Sequence, residues 1–500
     1  MPKKQAPRPH RRDVLRALLA ASAGSVIAGT LGSSVINQSA QAASTQPLPT
    51  LSVLPSGNLQ IIESINQDAA YYAQGFQFHL QKLPKFRYLC RSHAHVEQAF
   101  ADIQARGLRF AVRSGGHCFA GHSQSDSAVI DLRELNHIEF DGDGIHVRVG
   151  AGVQLVDLHL EAAQRNLVVA AGWCPSVGVG GHCLGGGVGY AARAYGLLCD
   201  QLVSAQVIDG MGNALTASSS ENPDLFWALK GGGGSIALVS EFTFVLAPIA
   251  PSPQQATSFE LAVKLPFEQA VEFFAQWQTW AHQTDPRLTS QCNVIPYPGK
   301  NVFFVINGQM LAGAADFLAQ FKTFPLGIAH LEPSKVFIGS LRAILEEHIL
   351  KDPGHYFPTK YQSAFCAAPM ESSACRVLLG QLTDLPLGSV NLMFEALGGA
   401  AATPTIDDTA YPHRDAAFLV QFASSITEKQ DNTAAHAALS SIQQALRPFV
   451  TGGAYVNYRD PDLRDFAQAY WGDNYPRLQA VKAKYDPQNM FRHAQSIALP

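Results

Sequence analysis

The spacing of apolar residues in the first half of the chain predicts short strands mixed with a few helices. Residues 93–107 (HAHVEQAFADIQARG) place apolar side chains on one helical face and end in a glycine, which predicts a helix. A second amphipathic helix is predicted over 154–166, and a short capped helix within 221–234. Strands are predicted where β-branched residues meet turn signals, within residues 108–117, 127–140, 144–152 and 198–218.

The pattern changes at a proline-rich segment, residues 248–253, which predicts a domain border. Beyond it, residues 255–450 alternate long strand-like runs such as NVFFVING (301–308) with long helical patterns such as FEQAVEFFAQWQTWAHQ (267–283). This alternation predicts an α+β layer architecture. The remaining C-terminal residues are compact and rich in aromatic side chains, and we expect them to return to the first domain. The predicted segments are 50–248, 249–451 and 452–500.

Composition allows large cores and argues against a nucleic-acid partner. Hydrophobic residues make up 47% of the 500 residues, charged residues 15%, and the formal net charge is −4. About 150 residues per domain predicts two to three domains. A nucleic-acid-binding surface would need a basic patch, and no long run of one charge occurs beyond the N-terminus.

The N-terminus reads as an export signal. Basic residues end in the pair Arg11-Arg12, a weakly apolar stretch follows, and Ala40-Gln41-Ala42 is a small-x-small cleavage site. These features predict a twin-arginine signal over residues 1–42 and a periplasmic or secreted bacterial protein, loaded with its cofactor before export. Glycines and serines interrupt the stretch, which disfavours the alternative of a lone membrane anchor. No other stretch approaches the length of a membrane span, so we expect no stable membrane association after the signal is removed.

Eight cysteines occur, without a CxxC pair. Their disulfide connectivity does not follow from spacing, and we expect most of them to be buried thiols.

Three glycine-rich runs lie within about 120 residues, at Arg113–His117, Ser176–Gly189 and Gly231–Gly234. Glycine lets the backbone approach a ligand closely, and successive N–H groups form a nest that binds anions. The runs therefore predict a diphosphate site, with ordinary turn chemistry as the alternative.

Two other interpretations of these residues are weaker. Gly187–Ala192 matches G-x-G-x-x-A, with Asp209 twenty residues beyond Gly189, but the strand that a Rossmann fingerprint requires is missing before it. A zinc site could draw on His117, His122, Cys174, His182 and Cys183, but no spacing matches a known zinc motif, so we predict no metal.

Six motifs follow one another along the chain, namely RSGGH (113–117), GWCPSVGVGGH (172–182), GGGVG (185–189), DLFWALKGGGG (224–234), YVNYRD (455–460) and YDPQNMFRHAQSI (485–497). In this order, they resemble the motifs of the berberine-bridge-enzyme-like flavoprotein oxidases of the vanillyl-alcohol-oxidase fold. The resemblance spans roughly residues 50–500. It implies an FAD-binding domain with a PCMH-type fold over 50–248, a substrate-binding domain over 249–451 with an antiparallel sheet covered by helices, and a berberine-bridge-type segment over 452–500.

The resemblance also implies the cofactor and its attachment. In bicovalent members the His of RSGGH bonds the flavin 8α-carbon and the Cys of the C-P-x-V loop bonds C6, which implies covalent FAD at His117 and Cys174. Read from the residues alone, His117 can equally be a hydrogen-bonded turn histidine and Cys174 a buried thiol. The other residues expected at the cofactor are Arg113, Ser114, Gly115, Gly116, Gly178, Gly180, Gly181, His182, Gly187, Gly189, Asp200, Val239 and Asn489. The loop entry Ser235-Ile-Ala departs from the family's usual Asn-Phe-Gly, which weakens the assignments on the adenine side.

Tyr458, the second tyrosine of Y-x-N-Y, is the expected catalytic base, with a packing aromatic as the alternative. A phenol near pKa 10 must be depressed or act in concert with hydride loss. Gln421 is expected beside it, where the alkaloid-cyclising member has a catalytic glutamate. That difference disfavours alkaloid ring closure, while Leu419 and Val188 depart from the monolignol-oxidising members.

The expected reaction is oxidation of a C–OH group to a carbonyl or lactone, with O₂ reduced to hydrogen peroxide. A sugar or oligosaccharide is the leading substrate, and a secondary metabolite or a dehydrogenase with another acceptor are the alternatives. Gly172 is expected to affect oxygen access. The sequence does not predict the oligomeric state.

Overall fold

The computed structural model describes residues 58–66, 68–249, 255–297, 299–327, 335–348, 359–383, 385–387, 389–425 and 433–500. The predicted signal over 1–42 and part of the predicted border over 248–253 lie outside the described residues. The domain boundaries therefore stay predictions.

Among the described residues up to 249, the structure has eleven strands. They are β1 Gln60–Glu63, β2 Phe86–Leu89, β3 Phe110–Arg113, β4 Ala128–Asp131, β5 Ile138–Phe140, β6 His146–Gly150, β7 Leu167–Val168, β8 Leu202–Ile208, β9 Ala214–Ser218, β10 Leu238–Val245 and β11 Ala247–Pro248. The helices described in this part are α1 Ala69–Ala73, α2 His93–Ala105, α3 Leu155–Gln164, α4 Val179–Leu184, α5 Ala192–Tyr195 and α6 Pro223–Leu229.

The rest of the described chain carries the longer elements. Its strands are β12 Gln255–Pro266, β13 Leu288–Tyr297, β14 Asn301–Met310, β15 Val336–Ser340, β16 Thr359–Cys366, β17 Val390–Ala396 and β18 Phe418–Ser425. Its helices are α7 Phe267–Gln283, α8 Ala314–Phe321, α9 Leu341–His348, α10 Ser372–Gly380, α11 Thr433–Leu446, α12 Phe466–Trp471 and α13 Tyr475–Tyr485.

Two sheets form the first half, and a third dominates the second half. The strand orders are β1-β2-β4-β3, β5-β6-β10-β8-β9 and β15-β12-β14-β13-β17-β18-β16, beside a small pair of β11 and β7. In the first sheet β2, β3 and β4 pair in parallel, whereas the seven-stranded sheet is antiparallel throughout. The predicted two-domain α+β fold with an antiparallel sheet in the substrate-binding part is thereby confirmed.

The seven-stranded sheet has one buried face and one open face. In β14, Val302, Phe304 and Ile306 are buried, while the residues between them are partly exposed. Side chains alternate between the faces of a strand, so the buried set packs against the covering helices, including Phe274 and Trp277 of α7. The opposite face is left to line a cleft.

A separate core joins the two smaller sheets to the C-terminal segment. Trp471 of α12 and Leu478 of α13 are buried in the same cluster as Phe242 of β10. The C-terminal residues therefore return to the first part of the chain, as their aromatic pattern predicted.

Two buried arginines connect the part of the chain before the proline-rich segment with the part that carries the seven-stranded sheet. Arg193 of α5 donates to the backbone oxygens of His282 and Thr284, at 2.9 and 3.0 Å. Arg414 forms a bidentate ion pair with Asp200, at 2.8 and 2.7 Å. Bidentate bonds restrict orientation as well as distance, so the open sheet face is held in place above the glycine-rich loops.

The predicted helix over 93–107 is confirmed, because Ser92 caps α2 by accepting from the N–H of His95 and Gly107 follows it with a φ of 61°. The helix α4 inside the glycine-rich run was not predicted. Glycine disfavours helices, but here Val179 N–H donates to Val153 and Gly180 N–H to Ala151, so tertiary contacts override the propensity.

All eight cysteines lie outside disulfides, and six of them are buried. Within the described ranges, no helix combines the length and the hydropathy needed to cross a membrane.

Candidate active site

The glycine-rich runs and the open sheet face enclose a cavity of about 410 Å³. Most of the residues expected at the site line it together, although they come from distant parts of the chain. The predicted residues in the lining are Ser114, Gly115, Gly116, His117, Cys174, Gly178, Gly180, Gly181, His182, Val239, Gln421 and Tyr458.

Two of the glycine runs touch each other in a way that no side chain would allow. A Cβ atom on Gly115 would lie 2.3 Å from the backbone nitrogen of Gly178, and one on Gly178 would lie 2.0 Å from Oγ of Ser114. Ser114 Oγ in turn donates to the backbone oxygen of Ala151 at 2.6 Å. The glycines are required here for close approach of the two loops.

The RSGGH loop leaves donors available. In the described part of the chain, no group accepts a hydrogen bond from the backbone N–H of Gly115, Gly116 or His117. Consecutive N–H groups without acceptors form an anion nest, so the residues fit a diphosphate. Apolar side chains in the lining, including Val112 and Leu155, suit the flat ring systems of FAD.

His117 is held as a neutral imidazole. Its ring stacks on Phe76 with centroids 4.5 Å apart, and Nε2 lies 2.9 Å from Oγ of Ser176. Burial, and secondarily Arg113, lower the pKa of His117 to about 4. An imidazole without its second proton retains the lone pair that a covalent attachment needs.

Two histidines hold the backbone of Gly172, in the loop that carries Cys174. The backbone oxygen of Gly172 accepts from Nε2 of His159 at 2.8 Å, and its N–H donates to Nε2 of His182 at 2.9 Å. Trp173 stacks on Tyr190 with centroids 4.4 Å apart. Cys174 lines the cavity and is partly exposed to it.

Glu395, the hydrogen-bond partner of Tyr458, is a site residue that was not predicted from the sequence. Tyr458 Oη donates to Oε1 of Glu395 at 2.9 Å, and Gln291 Nε2 donates to Oε2 at 3.0 Å. Burial raises the pKa of Glu395 to about 7, although both hydrogen bonds act in the opposite direction. The available signal was a lone carboxylate in the buried strand VNLMFEA, because an acid is rarely buried without a function or a partner.

Burial, followed by Glu395, raises the pKa of Tyr458 well above its usual value. This direction favours the second of the two expected routes, in which the phenol acts in concert with hydride loss. Gln421 lies in β18 opposite Met393 of β17, and both side chains line the cavity near Tyr361.

Five predicted cofactor residues lie outside the cavity lining and stabilise the surrounding structure. Arg113 donates to the backbone oxygens of residues 72–74, and Asp200 pairs with Arg414. Gly187 and Gly189 pack inside the loop, where a Cβ on Gly189 would lie 1.8 Å from a backbone oxygen. Asn489 has a φ of 52° in the turn after α13. Their contact with the cofactor stays a prediction.

The loop at Gly187–Ala192 follows helix α4, not a strand, so the structural context of a Rossmann fingerprint is absent there.

Comparisons with known proteins identify the family of the chain. The FAD binding domain family matches residues 84–218, and the berberine and berberine-like family matches residues 454–498.

The uncharacterized FAD-linked oxidoreductase YgaK of Bacillus subtilis is 30% identical over 427 residues, which cover 84% of this chain and 92% of that protein. The glucooligosaccharide oxidase of Sarocladium strictum is 29% identical over 78% of this chain and 82% of its own. Among solved structures, berberine bridge enzyme from Eschscholzia californica superposes with a TM-score of 0.80 at 25% identity, covering 89% of this chain and 97% of its own. The chain belongs to the berberine bridge enzyme-like family of FAD-linked oxidoreductases.

Proposed function

We propose that the protein oxidises a C–OH group of a sugar or oligosaccharide to a carbonyl or lactone. When bound, FAD supplies the hydride acceptor, and dioxygen then takes the electrons to give hydrogen peroxide. The overall change is R₂CHOH + O₂ → R₂C=O + H₂O₂. The observation that carries the proposal is the hydrogen bond from Tyr458, which lines the same cavity as His117 and Cys174, to the buried carboxylate of Glu395.

The proton of the substrate hydroxyl would leave through these two residues. Tyr458 keeps its own proton at neutral pH because burial raises its pKa. It accepts the substrate proton only as its hydroxyl proton moves to Glu395, whose pKa of about 7 suits it to accept a proton near neutral pH. Gln421 would orient the substrate hydroxyl. The similarity to a glucooligosaccharide oxidase supports the sugar class.

The experiment that tests this function is a two-step flavin assay on the purified wild-type protein. Oligosaccharides, simple alcohols, phenols and amines are each mixed anaerobically with the enzyme, and oxygen is then admitted. We expect an oligosaccharide to bleach the flavin and oxygen to restore its colour with one equivalent of peroxide. Bleaching by phenols or amines alone would instead favour the secondary-metabolite alternative.

We further propose that FAD is attached at both His117 and Cys174. The neutral imidazole, the partly exposed thiol and their shared cavity support this proposal. Acid-precipitated wild-type protein should remain yellow, and the double variant His117→Ala, Cys174→Ala should release its flavin. A colourless precipitate from fully loaded wild type would contradict both attachments.

Gly172 is proposed to control the second half-reaction. A Cβ on Gly172 would lie 3.1 Å from Cε1 of His182 and 3.3 Å from the backbone oxygen of Val188, so even a methyl group crowds this position. A glycine-to-alanine variant of berberine bridge enzyme is named a reticuline dehydrogenase. Gly172→Ala should therefore retain anaerobic flavin reduction and lose most of its reoxidation by oxygen. Equal reoxidation of variant and wild type would remove Gly172 from this role.

The protein is proposed to be exported through the twin-arginine pathway and to act on small-molecule substrates outside the cytoplasm. Replacing Arg11 and Arg12 by lysine should retain the protein in the cytoplasm, as measured by fractionation. Continued export would contradict the proposal.

A further inference from the structure

The hydrogen-bond chain at the proposed base does not stop at Glu395. Tyr190 Oη lies 3.0 Å from Oε1 of Gln291 and 3.1 Å from Oδ1 of Asn307. Gln291 therefore receives a donor on its amide oxygen while its amide nitrogen donates to Glu395. Tyr190 belongs to the glycine-rich loop, and so the chain of bonds runs from that loop into the sheet.

The sheet register places the partners of Gln291 on neighbouring strands. Gln291 in β13 pairs with Asn307 in β14 on one side and with Glu395 in β17 on the other. Directly opposed residues have Cβ atoms about 5 Å apart, within hydrogen-bonding reach for side chains of this length. The row is buried at both Gln291 and Glu395, each only 2% exposed.

Tyr190 supports the orientation in which the Gln291 amide nitrogen faces Glu395. An amide offers an acceptor at its oxygen and donors at its nitrogen. Nε2 donates to Glu395, so Oε1 of the same amide faces Tyr190, whose hydroxyl has one proton to donate to it. Rotating the amide would set an oxygen against the carboxylate. The stacking of Trp173 on Tyr190 holds the phenol in place.

We propose that Gln291, oriented by Tyr190, is a positioning residue that keeps Glu395 ionised and turned toward Tyr458. The inference rests on the proposed function only for the use of Glu395 as the final proton acceptor. The role of the two residues in holding that carboxylate follows from the contacts themselves.

The surroundings of Glu395 make its ionisation depend on the hydrogen bond that it accepts from Gln291. In the described parts of the chain, no lysine, arginine or histidine contributes to its ionisation. The titratable groups around the network are Tyr190, Tyr455 and Tyr458, with Cys174 beyond Tyr458 and Glu260 beyond Tyr190. None of these groups supplies a positive charge. Hydrogen bonds from Tyr458 and Gln291 are the two interactions that oppose the effect of burial on the pKa of Glu395.

The test is an infrared titration of the carboxyl group in the holoenzyme, with Glu395→Gln used to assign the band. Gln291→Leu removes the donor and should move the titration to higher pH by about one to two units. Tyr190→Phe leaves the Gln291 amide free to rotate. This variant should move the titration of Glu395 in the same direction by a smaller amount. Tyr195→Phe is the matched control, since it removes a tyrosine hydroxyl that donates to the backbone oxygen of Pro248, and it should leave the titration unchanged.

The pH profile of anaerobic flavin reduction provides the second readout. In Gln291→Leu the acidic limb should move by the same amount, so that the rate at pH 7 falls about 5–50-fold and recovers at alkaline pH. A loss of rate that is equal at every pH, or an unshifted infrared titration in both variants, would overturn the inference. A shifted titration in a protein whose flavin no C–OH compound reduces would support the positioning role and reject the proposed function.

Discussion

Replacing Glu395 by glutamine should stabilise the protein at neutral and alkaline pH, because the wild type must bury an ionised carboxylate there. Glu395 is 2% exposed and burial raises its pKa from the ordinary value of 4.5 to about 7. A group whose pKa is raised by folding stabilises the native state below its unfolded pKa, and that contribution is lost as the pH rises through the folded value.

The shift from 4.5 to about 7 corresponds to about 3 kcal/mol, since one pKa unit equals about 1.4 kcal/mol. Relative to Glu395→Gln, the free energy of unfolding of the wild type should fall by this amount between pH 4 and pH 8. The glutamine side chain introduced at position 395 can form hydrogen bonds with both neighbours of Glu395. Its oxygen can accept from Gln291, and its nitrogen can donate to the hydroxyl oxygen of Tyr458.

Urea unfolding of both proteins at several pH values measures this difference. Met393→Leu is the control, because it lies on the same open face of β17 and changes no charge, so its difference from wild type should not vary with pH. A constant difference between Glu395→Gln and wild type across this range would refute the reasoning.

Three further changes follow from other contacts. Tyr458→Phe should slow anaerobic flavin reduction by about 10²–10⁴-fold in stopped-flow traces while the flavin spectrum stays unchanged, and a wild-type rate would remove Tyr458 from the proton transfer. Asp200→Ala leaves the guanidinium of Arg414 buried without its carboxylate and should cost about 3–5 kcal/mol in urea unfolding, whereas a cost under 1 kcal/mol would show that the pair is solvated. Gly115→Ala places a methyl group 2.3 Å from the Gly178 nitrogen and should abolish flavin loading, measured by the ratio of flavin to protein absorbance, so normal loading would contradict the nest.

Much of the site could be predicted because its motifs are local. The RSGGH loop is continuous in sequence, so Ser114 to His117 follow from one motif, and their N–H groups point to an anion without any tertiary information. Cys174 lies in an equally continuous loop. The spacing of apolar residues in α2 and α7 similarly predicted which face of each helix is buried, because the apolar stripe of a helix is set by residues three and four apart.

The rest could not be predicted because it depends on register between distant strands. Glu395 is adjacent to Gln291 only through the pairing of β13 and β17, and it meets Tyr458 only when the C-terminal segment returns. A shift of one residue in that pairing would turn the carboxylate into the core. The ion pair of Asp200 with Arg414 likewise joins residues 214 positions apart, and the motif around Asp200 gave no sign of it.

The central claim of this account is that the cavity between the glycine-rich runs is a flavin site with two covalent attachments. Intact-mass spectrometry of the denatured protein tests it most directly. The account predicts that wild type and each single variant, His117→Ala and Cys174→Ala, retain the mass of one FAD, and that the double variant retains none. A denatured wild-type protein without that mass, or FAD retained on the double variant, would contradict it.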